Sequence, residues 1–259
     1  IRDTFDVRPD LVAWIATAYT LPYLVLPPLY GRLGDELGKR RIFLMGILVF
    51  LSGACLSALA PSVPLLIAGR LIQGIGAAGI YPLSMAMISQ VFPADERGKV
   101  FGTWSSIGAI TSMITRLLAG PMIDHWAWRT IFAPVVLSGL ITLPLIRWLP
   151  AAREHSRSKF LDAFDWGGAI LLSITAVSLL AYLSSQPSTG VRPLRDWRLL
   201  ATTLIFLGGL VLWERRTTRP FLSLEILTKQ GFSRPALGAS LRQFCVSAIS
   251  FLMPLYLAD

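Results

Sequence analysis

Long apolar runs alternate with short charged ones from one end of the chain to the other. The run at about 11–30 carries no charged residue, and neither does the run at about 42–60. Others follow at about 64–92, 101–123, 130–149, 166–185, 197–213 and 235–257. Their apolar residues cover every side of a helix instead of one stripe, which means surroundings of lipid or membrane interior. Each run is near the ~20 residues that a helix needs to cross a bilayer. The pattern therefore predicts an all-α, polytopic membrane protein of about eight spans.

Composition supports this, at 54% hydrophobic and 15% charged. The net charge of +9 would fit a nucleic-acid binder, but the distribution of charge argues otherwise. Arg32, Lys39, Arg40, Arg41, Arg97, Lys99, Arg147, Arg153, Arg157, Lys159, Arg215, Arg216, Arg219, Lys229 and Arg234 fall on one side of the predicted topology. The opposite side holds only Arg2, Arg8, Arg129, Arg192, Arg195 and Arg198. That is the positive-inside asymmetry, and it puts the first group in the cytoplasm. Trp126, Trp128, Trp148, Trp166, Trp197 and Trp213 lie at span ends, as an interfacial aromatic belt requires. No aromatic-basic interleaving accompanies the basic loops, so nucleic acid is not an expected partner. Cys55 and Cys245 are read as small apolar packers within spans, and His125 and His155 as solvated loop residues. No nucleophile–His–acid set, phosphate loop or metal cluster is visible, so an enzyme is the least favoured class.

Candidate chemistry begins at Gly31–Arg41, reading GRLGDELGKRR, a tight turn between the first two spans. Gly31 and Gly34 would let helix ends approach closely, and Gly38 would supply a backbone angle other residues resist. Asp35 is expected at the start of the following helix, facing its unpaired amides. Lys39, Arg40 and Arg41 suit lipid headgroups or a carboxylate on a neighbouring helix. In the third span, Arg70 lies well inside an apolar run, where a charge costs roughly 2.5–3.5 kcal/mol on insertion scales. It must face a cavity or a partner. Helical spacing puts Arg70, Gln73, Gly74, Ala77 and Tyr81 on one small, polar stripe. Gly46, Gly53 and Ser57 share a small face on the second span.

The spacing Gly31-x-Leu33-x-Asp35-x-x-Gly38-Lys39-Arg40 closely resembles the loop between the second and third helices of the major facilitator superfamily. Arg70-x-x-Gln73-Gly74 resembles the family's fourth-helix motif. Pro93–Lys99 resembles the loop that follows it, and Trp128-Arg129-x-x-Phe132 the start of the sixth helix. The resemblance implies two six-helix halves around a midplane site. It implies that the first visible span is the family's second helix, with the first helix and the last five of the second half absent. It assigns Gly31, Asp35, Gly38, Lys39 and Arg40 to holding one conformational state. Arg70, Gln73, Gly74 and Tyr81 become candidates for the cavity or for coupling.

The family's proton antiporters carry a Gly-Pro pair and then Gly-Gly before the Trp-Arg landmark. Here those positions read Thr115-Arg116 and Ala119-Gly120, with a separate Gly120-Pro121. Gly108, Ser112, Gly120 and Pro121 remain a candidate helix-packing ridge. Arg116 on that ridge, and Arg242 in the last span, are further candidates for the cavity. An arginine pair of Arg70 with Arg116 or Arg242 would favour an anionic substrate. No Asp or Glu lies deep in the predicted spans.

By these boundaries, 1–149 is the N-terminal transporter half, 150–165 a cytoplasmic connector and 166–213 two additional helices. A basic, amphipathic linker at 214–234 leads to the first helix of the second half, 235–259. Phe164-Asp165-Trp166-Gly167-Gly168 and the inserted pair resemble the fourteen-span branch of drug:proton antiporters. The expectation is a monomeric, multi-pass protein of the plasma (inner) membrane, with its Gly31–Arg41 loop cytoplasmic. It would export amphipathic organic compounds through the bilayer by alternating access. Its energy source would be the proton gradient, with no bound cofactor and no metal. A carrier for one defined metabolite, or a membrane receptor that does not transport, is the alternative.

Overall fold

The computed structural model describes residues 9–149, 165–183, 194–217, 231, 233–242 and 245. Most of the connector (150–164), most of the linker (218–230) and most of the last predicted span lie outside the described residues. His155, Gln243 and the proposed amphipathic segment fall there.

Helices α1 (Pro9–Val25), α2 (Pro27–Leu37), α3 (Lys39–Leu59), α4 (Val63–Val91) and α5 (Arg97–His125) come first. Helix α6 (Phe132–Leu145) sits between two 3₁₀ turns, Trp128–Ile131 and Ile146–Trp148. Helices α7 (Trp166–Leu183) and α8 (Trp197–Arg216) follow, and residues 233–242 are helical. Among the described residues, six segments are long and apolar enough to span a membrane: Lys39–Leu59, Val63–Val91, Arg97–Ile123, Trp128–Trp148, Trp166–Leu183 and Trp197–Arg216.

The first apolar run is divided at Leu26. Pro27 and Pro28 have no amide hydrogen to give to the turn before them, so the ladder loses donors there. Leu26 stays near helical geometry (φ −87°, ψ −11°), donates to the Pro22 carbonyl at 3.0 Å, and accepts from Tyr30 at 3.0 Å. The rod is therefore bent, not ended.

Helices α3 and α4 form the centre of the fold, and glycines let them meet backbone to backbone. A Cβ at Gly76 would strike the Phe50 backbone, and one at Gly53 would strike that of Gln73. One at Gly69 would come within 2.6 Å of Ser57 Oγ. The small face read from Gly46, Gly53 and Ser57 is thus the α4-facing side of α3, and all three residues are buried. Cys55 points the other way and is exposed, contrary to the expectation of a packed thiol.

Around this pair, α2 fits its Tyr30 ring against Gly79 and donates the phenol hydrogen to the Ile75 carbonyl at 2.9 Å. Tyr30, Ile42, Phe43, Ile47, Leu51, Leu83 and Met87 form one continuous apolar core. Helix α6 joins it where Gly139 receives Leu51. Arg129 closes the opposite end: its Nη2 donates to the Ala60 carbonyl at 2.8 Å, and its guanidinium lies 4.6 Å from the Trp128 ring.

Helices α7 and α8 pair with each other, and α7 also touches α1. Asp165 organises the junction. Its Oδ1 accepts from the Gly168 amide at 2.9 Å, capping α7, and from Trp213 Nε1 on α8 at 2.9 Å. Gly167 has no side chain because the Trp213 ring occupies that space. The Asp-Trp-Gly-Gly sequence is therefore a cap, an interfacial tryptophan and a seat for a second one.

Candidate functional site

The charged turn is tighter than its sequence suggests. Helix α2 continues through Leu37 and α3 begins at Lys39, so Gly38 alone changes the chain's direction, at φ +93°. Only glycine holds that angle without strain. Asp35 is not at the start of α3; it sits in the last turn of α2. Its Oδ1 pairs with Lys39 Nζ at 3.2 Å across the turn, with the Asp35 side chain 66% exposed. The expected approach at the two glycines is found at one of them. A Cβ on Gly34 would strike Leu83 of α4, whereas one on Gly31 would meet nothing. Arg40 is half-buried, and Arg32 and Arg41 are exposed.

The second cluster lies between α1 and α4. Arg70 Nη1 donates to Gln73 Oε1 at 2.7 Å, one turn along α4. Its Nε reaches the Ile15 carbonyl of α1 at 3.4 Å, and its guanidinium stands 4.3 Å from the Tyr19 ring. Such a cation–π contact is worth about 0.5–2 kcal/mol, more when water is excluded. Gln73 is buried, and Gly74 lies directly under the Tyr19 backbone and Pro22. Small residues here draw α1 onto α4 and bring Tyr19 over the arginine. Tyr19 also stacks on Tyr23 with ring centres 6.0 Å apart.

The predicted stripe divides at its far end. Gln73, Gly74 and Ala77 are buried, but Tyr81 is exposed and meets Trp104 of α5 edge-on at 5.0 Å. Helix α5 holds the remaining ridge. Gly108, Ser112, Arg116, Gly120 and Pro121 are all exposed, and a Cβ at Gly108 or Gly120 would meet nothing within 4 Å. Their expected packing is thus not made among the described residues. Arg242 is exposed as well. Arg116 and Arg242 do not form a buried pair with Arg70, whose contacts are Ile15, Gln73 and Tyr19. Their helices carry them to outward surfaces.

Three features were not anticipated from the sequence. Tyr19 and Tyr30 are the aromatic contacts that fix α1 and α2 to α4. Glu214, one residue past the predicted end of its span, is drawn into α8 and is only 4% exposed. It lies beyond the predicted span, in the last turn of α8 beside Arg215 and Arg216. A signal for Glu214 was present, since Trp213 and Arg215 flank it at the interface. None existed for the tyrosine partners.

A kinked, glycine-locked helical body with a one-residue basic turn and an arginine inside an apolar helix defines a multi-pass membrane protein. A family model described as Major Facilitator Superfamily matches residues 1–259. The chain belongs to that superfamily of transporters. It is 29% identical over 246 residues to an uncharacterized MFS-type transporter of Mycobacterium tuberculosis, covering 95% of this chain and 42% of the relative. It is 28% identical over 254 residues to multidrug resistance protein 3 of Bacillus subtilis, covering 95% and 48%. It is 27% identical over 258 residues to the riboflavin transporter RibZ of Clostridioides difficile, covering 99% and 55%. The chain thus spans about half the length of the curated relatives it matches.

Proposed function

We propose that the protein of which this chain is part exports amphipathic organic compounds by alternating access, driven by inward proton flow. The observation that carries this reading is the α7–α8 hairpin. It follows the N-terminal helices as an inserted pair, and its Asp-Trp-Gly-Gly entry resembles that of the fourteen-span drug antiporter branch; here Asp165 caps α7, and α7 packs on α1. The similarity to multidrug resistance protein 3 supports the same branch. The chain's own part is conformational and electrostatic. Arg70 offers a fixed cation held by Tyr19 and Gln73, and the Gly38 turn with its Asp35–Lys39 pair couples α2 to α3. No covalent chemistry is assigned to any residue, and no cofactor is needed beyond the gradient.

In proteoliposomes of the full-length protein, dye efflux should require an imposed proton gradient and stop when an ionophore collapses it. Efflux indifferent to the ionophore would end the antiport reading. Arg70→Ala should reduce efflux at least tenfold; activity equal to wild type would reduce Arg70 to a packing role.

A second reading has its own support. The similarity to a riboflavin transporter and the cation at Arg70 suit a carrier for one defined, anionic metabolite. Saturable flux of a single compound, with no dye competing, would favour it. Failure of a broad compound screen to reveal any flux would favour a receptor.

A further inference from the structure

A cavity of about 450 Å³ opens at the cytoplasmic ends of α4 and α6, well away from Arg70. Phe43, Met87, Phe92, Trp104, Leu145 and Trp148 are among the residues that line it. Its size falls within the roughly 300–1,000 Å³ of small-molecule pockets. Two hydroxyls, Ser84 and Thr142, also face it, but each is already used. Ser84 donates to the Ile80 carbonyl at 2.6 Å, and Thr142 to that of Ser138 at 2.8 Å. The interior thus has little to offer except carbon, and whatever enters must be hydrocarbon there.

The rim is different. Phe92 and Trp148, both lining residues, each hold a guanidinium. Arg97 Nε donates to the Phe92 carbonyl at 3.0 Å, which leaves its two Nη groups for another acceptor. Arg147 stands 5.4 Å from the Trp148 ring. Lys99 adds a third cation nearby, while Asp95 and Glu96 on the same loop are exposed and oppose it in part. The depth is set by the spans. Val91 ends α4, Trp148 ends the α6 segment, and Arg97 starts α5, all on the side of the basic loops. A carbon-walled cavity with cations at its mouth, at the level of the cytoplasmic headgroups, has the chemistry of one class of molecule.

We infer that this cavity binds an anionic phospholipid of the inner leaflet, with an acyl chain between α4, α5 and α6 and its phosphate on Arg97 and Arg147. Its occupant would brace α5, whose contacts with α4 include the Trp104–Tyr81 ring pair.

The test uses the full-length protein, equilibrated in bilayers of equal dioleoyl-phosphatidylglycerol and dioleoyl-phosphatidylcholine. It is then stripped by detergent and weighed by native mass spectrometry. Each cation near an anionic lipid surface adds about a fivefold preference. Wild type should therefore retain one phosphatidylglycerol over phosphatidylcholine by more than tenfold. Arg97→Gln with Arg147→Gln should reduce the preference to about that of bulk lipid; because Arg97 is half-buried and bonded to the Phe92 carbonyl, the tryptophan fluorescence of this variant is compared with wild type as well. Ser84→Phe, which fills the cavity, should abolish retention of either lipid, while intrinsic tryptophan fluorescence reports that the fold persists. Equal retention of the two lipids by wild type would overturn the inference. So would an undiminished preference in the double arginine variant. Displacement of the lipid by micromolar tetraphenylphosphonium would also overturn it, because the cavity would then be a site for amphipathic cations.

Discussion

Helices α4 and α5 have the same length, 29 residues each, and both are rich in glycine, but they live in different surroundings. In α4, Gly69, Gly74, Gly76 and Gly79 each stand where a neighbour has moved into the space of the missing side chain. In α5, Gly102, Gly108 and Gly120 stand in the open. The apolar window of α4 is half buried, and that of α5 is not buried at all. Lipid gives no hydrophobic reward for bringing two helices together, so close packing of small residues must supply the attraction. A small residue in a membrane helix thus stabilises nothing until another helix arrives to use it.

Four substitutions test that contrast, read as thermal unfolding of the purified protein in detergent. Gly76→Val forces a side chain into the Phe50 backbone and should destabilise by about 1–3 kcal/mol or more. A melting temperature within a degree of wild type would show that the α3–α4 contact is loose. Tyr30→Phe removes the hydrogen bond to Ile75 while keeping the ring against Gly79, and should cost about 1 kcal/mol. Asp35→Asn breaks an exposed ion pair and should change stability by less than about 1 kcal/mol. Raising the salt should shrink the difference further. Gly108→Leu should be the smallest, within about 0.5 kcal/mol in this chain, because the site is open. In the full-length protein the same change decides whether the α5 ridge is covered. A loss there as large as that from Gly76→Val would mean that another helix packs on it.

The sequence made the helical layout legible because apolar runs free of charge admit few other readings. The small face of α3 was legible too, since Gly46, Gly53 and Ser57 lie at helical spacing, but not that α4 would be the helix against it. Contacts between distant residues were not legible. Tyr30 and Ile75 are 45 positions apart, Arg70 and Ile15 are 55, and Arg129 and Ala60 are 69. Nothing in the local pattern says which carbonyl a buried donor will find. Asp35 was misplaced for a related reason. Its neighbours look like a loop because they are charged and rich in glycine, yet two prolines at the start of α2 favour a helix there. The arginines were legible as costly but not as to where they point. Arg70 is turned inward by Gly74, which admits Tyr19, whereas Arg116 has no such neighbour.

Because Gly38 is the whole connection between α2 and α3, those rods share no slack. Any change in the angle between them must be taken up by the two torsions of a single residue. A longer linker would absorb a tilt of one rod without disturbing the next; this one passes it on. Lengthening it by two glycines should therefore leave both helices intact and uncouple their movement.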